Sequence, residues 1–151
     1  MTIYIAADHL GVDLKHNLIE HLSTNGLNVK EIGIENSELD DYPDFAFKLC
    51  KMVKDEDNAL GILICGNGVG MSIAANKVNG IRCVRAVTTD DAFKGKHHNG
   101  ANVLAIGANL GFDLTKEIVD TFITTKPATI DRYLRRIEKI ISYENGEYNE
   151  L

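Results

Sequence analysis

The stretch Ile62–Ser72, Ile-Leu-Ile-Cys-Gly-Asn-Gly-Val-Gly-Met-Ser, constrains this chain more than any other. Its unbroken apolar start has the pattern of a strand buried on both faces, which parallel sheets with two helical layers require. The run ends at Cys65, and Gly66, Gly68 and Gly70 follow within five residues. Met71–Val78 then has the pattern of a helix start. Strand, glycine turn and helix together form a cradle for negative charge. Glycines let the backbone turn tightly and approach a ligand, and a helix N-terminus offers unpaired N–H groups. A thiol stands at its mouth, so the stretch suggests stabilisation of a reaction intermediate, with Cys65 moving a proton.

Apolar runs and helical patterns alternate along the rest of the chain. Strands are expected at Thr2–Ala7, around Leu27–Ile32, at Leu60–Ile64, at Ile81–Val87 and at Asn102–Ile106. Leu14, Leu18, Ile19 and Leu22 fall at helical spacing, and Asn25-Gly26 ends that helix. Pro43 suits a first helical turn, and Phe45, Ala46, Leu49, Cys50 and Val53 give the helix an apolar face. Thr89, Asp90 and Asp91 cap a short helix through Phe93. Lys96–Gly100 reads as a polar loop holding His97, His98 and Asn99. Further helices are expected at Leu114–Phe122 and, beyond Pro127, at Ile130–Ser142. Five strands alternating with helices imply a three-layer α/β/α Rossmann-like domain with a five-stranded parallel sheet. The expectation is one domain over residues 1–142 with a polar tail over 143–151, either disordered or exchanged with a partner.

Composition excludes several classes. At 151 residues the chain has the size of one domain, and a net charge of −6 argues against nucleic acid or anionic membranes. No basic segment followed by an apolar core opens the chain, and no run approaches a membrane span of about 20 residues. Cys50, Cys65 and Cys83 stand apart, which suits free thiols in a reducing cytoplasm.

In parallel sheets of this kind, ligands bind at the carboxyl ends of the strands. Those ends carry Asp8-His9, Cys65–Gly68 and Thr88–Asp91. A glycine turn beside a helix N-terminus favours a thiolate at Cys65. Cys50 and Cys83 lack that setting and read as core. The Gly-x-Gly-x-Gly spacing follows the third strand and has no Lys-Ser/Thr, so it fits neither a dinucleotide fingerprint nor a P-loop. Asp8-His9 forms either a locally bonded turn or an imidazole aimed at an anion, with Asp8 orienting hydroxyl groups. His97 and His98 are either solvated or functional. Arg132 and Arg136 are four apart on one helix side, either solvated or paired for a phosphate. The His98 segment precedes the fifth strand, so it needs another route to a carboxyl-end site, and one such route is from a second subunit.

These residues match a known pattern. The chain resembles the type B ribose-5-phosphate isomerases and their relatives, the galactose-6-phosphate isomerase subunits and allose-6-phosphate isomerases. The resemblance rests on Ala7-Asp8-His9 with Gly11 and Leu14-Lys15; Asp41-Tyr42-Pro43; Ile64–Gly70; Ala74–Lys77 with Gly80-Ile81-Arg82; and His98-Asn99 with Asn102-Val103-Leu104. It implies an aldose–ketose isomerase acting on a small sugar phosphate through a cis-enediol, with no metal and no cofactor. Ribose 5-phosphate is the first expectation, galactose or allose 6-phosphate the alternatives, and a non-catalytic partner subunit or sugar-phosphate-binding module the last.

The resemblance also implies roles. Cys65 looks like the base. The N–H groups of Gly66, Asn67, Gly68, Val69 and Gly70, with Ser72, look like the anion hole. His98 looks like the ring-opening group. Asp8, Tyr42 and Asn99 look like sugar contacts, and His9, Arg132 and Arg136 like phosphate ligands. The implied assembly is a homodimer or homotetramer with the site shared across the dimer interface. The chain departs from the family at three places. Asn67 stands where the family usually has a Thr that assists ring opening. Asn109 replaces a basic residue. Ile130-Asp131-Arg132-Tyr133 replaces Gly-Gly-Arg-His. The tail around Gly146-Glu147-Tyr148 is similar to one galactose-6-phosphate isomerase subunit, which typically lacks the His98 equivalent kept here.

Overall fold

A computed structural model describes residues 1–33, 37 and 39–149; part of the acidic Glu35–Asp41 loop and the last two residues lie outside these. The chain runs β1 (Thr2–Ala7), α1 (Val12–Thr24), β2 (Asn28–Glu31), α2 (Tyr42–Asp55), β3 (Ala59–Cys65), α3 (Val69–Ala75), β4 (Cys83–Arg85), α4 (Thr89–Asn99), β5 (Val103–Gly107), α5 (Phe112–Thr124) and α6 (Asp131–Glu144). The strands form one parallel sheet in the order β2-β1-β3-β5-β4. This is the three-layer α/β/α Rossmann-like fold expected from the alternation.

The strand period of two divides the core. Ile3, Ile5, Ile62, Ile64, Leu104 and Ile106 face α1, α4 and α5. Tyr4, Ala6, Leu63, Cys65, Val103 and Ala105 face α2 and α3. The three central strands are buried along their whole length, which is why they read as continuous apolar runs. The order places a switch point between β1 and β3, where the connections leave in opposite directions. A crevice opens there at the carboxyl ends, and the Asp8 N–H spans it to the Ile64 carbonyl at 3.1 Å.

Several boundaries differ from those the sequence suggests. α3 starts at Val69, two residues early, because Gly68 at φ 78° turns the chain directly into the helix. β4 keeps only Cys83–Arg85, as befits an edge strand paired on one side. α6 continues through Tyr143 and Glu144. The main correction concerns Lys96–Gly100. It is no loop: His97, His98 and Asn99 form the last turn of α4, which runs well past Phe93. Thr88 and Asp91 close a reciprocal capping box at its start, and Gly100 at φ 57° ends it.

α6 packs against α4, yet none of its residues is buried. Leu134 and Ile140 stay 47% and 43% exposed. No helix among the described residues is long and apolar enough to cross a membrane.

Candidate active site

Hydrogen bonds hold the glycine turn from several sides. The Gly68 N–H donates to Cys65 Sγ at 3.2 Å. The Val69 N–H donates to Asn67 Oδ1 at 3.0 Å. Asn109 N–H donates to the Gly66 carbonyl at 3.2 Å, and Arg85 Nε to the Asn67 carbonyl at 2.9 Å. The Ser72 N–H closes the first helical bond onto the Gly68 carbonyl at 3.1 Å. The N–H groups of Gly70 and Met71 lie between these in the first turn of α3, where helical geometry provides no acceptor.

A cavity of about 260 Å3 opens at this turn, lined by Asp8, Leu10, Tyr42, Cys65, Gly66, Asn67 and Gly70. Each wall has a local cause. Asp8 is buried and caps the short 3-10 turn His9–Gly11 by accepting from the Leu10 N–H at 3.0 Å. His9 follows in that turn, with Nδ1 buried and unpartnered among the described residues. Tyr42 opens α2, just before Pro43, and its ring lies over Gly70: a Cβ there would meet ring carbons at 2.6–2.9 Å. Gly107 yields space behind the turn, since a Cβ on it would meet the Asn67 backbone at 2.7 Å.

The three thiols separate chemically. Burial pushes Cys50 up to about 12 and is the first cause doing the same for Cys83, where the Ser72 hydroxyl bond opposes it. Both remain thiols at neutral pH. Cys65 instead receives a backbone N–H in a cavity. Ser72, expected at the anion hole, therefore directs its hydroxyl to Cys83.

The structure brings Asp8, Tyr42, Cys65, Gly66, Asn67 and Gly70 together. It places His98, Asn99, Arg132 and Arg136 elsewhere in the protomer. His98 stacks on Tyr133 with ring centroids 4.5 Å apart. Arg132 lies 5.0 Å over the same ring and donates to the Tyr133 hydroxyl at 3.2 Å. The Asn99 carbonyl accepts from Arg82 Nε at 2.9 Å, and Arg136 is exposed on α6. α4 descends from the carboxyl end of β4 to the amino end of β5, so this second cluster sits at the amino edge of the sheet. Cys65 pairs in register with Gly107 and Gly61 with Val103. The edges are therefore four strand rises, ~13 Å, apart along the strands.

Larger cavities also open among the described residues. One of about 570 Å3 is lined by Glu31, Asp40, Asp41 and Asp44 among others, and one of about 440 Å3 by His21 and Lys116 among others. A third, of about 410 Å3, is lined by Cys83 among others, whose thiol burial keeps protonated, and a fourth, of about 360 Å3, by Tyr143 and Tyr148 among others; none of these contains the glycine turn, so chemistry points to the cavity at Cys65. Its volume is below the ~300–1,000 Å3 usual for small-molecule sites, as for part of a site. Sequence reading did not single out Leu10 or Arg85, and gave Tyr133 no role. Arg85 left a signal, as a charge inside an otherwise apolar strand pattern, and Tyr133 one as the residue standing in place of a family histidine; Leu10 left none.

Comparisons with known proteins agree with this geometry. The family model for ribose/galactose isomerases matches residues 3–140. The probable ribose-5-phosphate isomerase B of Mycoplasma genitalium is 43% identical over 145 residues, covering 94% of this chain and 95% of the relative. The D-erythrulose-4-phosphate isomerase of Pectobacterium atrosepticum is 36% identical over 152 residues, covering 99% of both. Among solved structures, that of ribose-5-phosphate isomerase B from Mycoplasma genitalium with bound ribulose-5-phosphate superposes with a TM-score of 0.90 at 42% identity. It covers 95% of this chain and 96% of that one. A cysteine and glycine-turn cavity at the switch point of a matching fold, and a family match over nearly the whole length, lead to one conclusion: the chain belongs to the ribose/galactose isomerase family.

Proposed function

We propose that this protein interconverts ribose 5-phosphate and ribulose 5-phosphate through a cis-enediolate, with Cys65 as the base. The carrying observation is the cavity that gathers Asp8, Tyr42, Cys65 and Gly70, with a backbone N–H on the sulfur. The relative solved with ribulose-5-phosphate supports the substrate. Family membership supports the isomerase class.

Ring opening needs a group that takes the anomeric hydroxyl proton and returns one to the ring oxygen. His98 fills that role from a second copy, with Asn67 beside the reacting end. The Cys65 thiolate then removes the C2 proton of the aldose. The electron pair moves into the C1–C2 double bond, and negative charge collects on the former carbonyl oxygen. N–H groups of the Gly66–Gly70 turn stabilise that charge, an effect worth about 3 kcal/mol per donor when preorganised. Cys65 returns the proton to C1 and a hydroxyl proton shift completes the ketose. Asp8 and Tyr42, with Asn99 of the second copy, hold hydroxyl groups. His9, with Arg132 and Arg136 of the second copy, holds the phosphate. The separation of the two clusters and the uncovered apolar residues of α6 support a homodimer or homotetramer. Three free cysteines suit a cytoplasmic location.

The test is turnover by the purified chain beside Cys65→Ala, with ribose 5-phosphate, D-erythrulose 4-phosphate, galactose 6-phosphate and allose 6-phosphate as substrates. The expected result is fastest turnover of ribose 5-phosphate, with a loss of about 10²–10⁴-fold in Cys65→Ala. Preference for a four- or six-carbon substrate would overturn the substrate. Full activity in Cys65→Ala would overturn the mechanism.

A further inference from the structure

Arg85 is the last residue of β4, exposed at the edge of the sheet, and pairs in register with Ala105 of β5. β5 lies between it and the glycine turn, and Gly107 at the end of β5 has no side chain. The Asn67 backbone occupies that space, within 2.7–2.9 Å of where a Cβ would stand. The turn thus leans over the end of β5 and comes within reach of β4. There Arg85 Nε donates to the Asn67 carbonyl at 2.9 Å.

That carbonyl belongs to the same peptide unit as the Gly68 N–H, and the Gly68 N–H donates to Cys65 Sγ at 3.2 Å. One planar unit is therefore held at both ends, by a guanidinium at its oxygen and by the sulfur at its hydrogen. Fixing the oxygen fixes where the N–H points. Gly68 has little freedom to tilt, because it sits at φ 78° with the Ile106 carbonyl carbon 3.0 Å from where a Cβ would stand. Hydrogen bonds in series polarise one another, so a cation on the carbonyl strengthens the donor at the other end. A guanidinium keeps its charge throughout the working pH range. Asp8 and Tyr42 are the titratable side chains lining the cavity with Cys65, from β1's end and from α2.

We propose that Arg85 is a positioning residue for Cys65: through the Asn67–Gly68 peptide it holds an N–H on the sulfur and favours the thiolate. For turnover, this rests on Cys65 being the base; for thiol reactivity it stands alone.

The experiment follows carboxamidomethylation of Cys65 by iodoacetamide, read by peptide mass spectrometry from about pH 5 to pH 10. It uses the full-length protein in its natural assembly, as wild type, Arg85→Gln and Arg85→Lys, each also assayed for turnover. Cys50 and Cys83, pushed up to about 12, stay unreactive over most of that range. In Arg85→Gln the profile moves to higher pH, with alkylation about 3–10-fold slower near pH 7. Arg85→Lys, with charge but no fork, falls between. kcat follows the same displacement, with KM little changed. An unchanged profile in Arg85→Gln overturns the proposal, and so does an equal change of rate at every pH, which marks altered access. A displaced profile with unchanged turnover upholds the link from Arg85 to the sulfur and overturns Cys65 as the base.

Discussion

A single absent methyl group sets the shape of the cavity wall at Gly70. Any Cβ there would meet the Tyr42 ring at 2.6–2.9 Å, and Tyr42 begins a helix, where its backbone has little room to retreat. Gly70→Ala therefore displaces the ring into the cavity. Steady-state kinetics should show KM raised about 10-fold or more, with the melting temperature nearly unchanged because Tyr42 is 38% exposed. A KM equal to wild type would show that the ring does not bound the substrate. At this scale the sequence is informative about chemistry and poor about partners. Cys65 was legible because a thiol beside three glycines at a strand end has few structural excuses. Arg85 and Ser72 were not, because which atom each side chain reaches depends on how the turn leans across β5.

Helix α4 shows what pattern reading misses at the level of an element. His97, His98 and Asn99 have modest helix propensity and Gly95 and Gly100 flank them, so the segment looks like a loop. Tertiary contact overrides this. Gly95 lies against Val84, where a Cβ would come within 2.7 Å, and Ala92 and Lys96 are buried. The helix can approach the sheet closely only with glycine there. Its start is secured by the Thr88 and Asp91 box. The Asp91 carboxyl is held below the usual carboxylate range, first by the Val87 N–H, with Thr88 adding. A carboxyl lowered in the folded state contributes stability above its unfolded value and loses it as pH falls through the folded one. Chemical denaturation of Asp91→Asn should show a deficit of about 1 kcal/mol near pH 7 that shrinks as pH falls below the unfolded carboxylate value and through the lower folded one. A deficit that persists in acid would assign the effect to packing. Thr88→Ala should cost about 1 kcal/mol by the same measurement and lower turnover through the His98 turn. The strands were far more legible than this helix, because β1, β3 and β5 are buried on both faces and admit little but apolar side chains.

For the molecule as a whole, topology divides the machinery. Parallel strands oblige α4 to run back toward the amino edge, so His98, in its last turn, lies toward the sheet edge opposite Cys65. Among the described residues the His98 ring meets Phe93, His97 and Tyr133 and does not line the Cys65 cavity, and α6 carries Leu134 and Ile140 uncovered beside that cluster. A second copy docking there would cover the apolar residues and deliver His98 to the glycine turn of its neighbour. The sequence showed that His98 lay on the wrong side of β5, but not how the helix bearing it would be covered.

The most direct test mixes two inactive variants, Cys65→Ala and His98→Ala, after dissociation and reassembly, and assays ribose 5-phosphate turnover. In a mixed dimer one site combines both defects and the other has neither. Random pairing makes half the dimers mixed, so activity should recover to about a quarter of wild type. No recovery, with mixed dimers confirmed by native mass spectrometry, would contradict a site shared between copies.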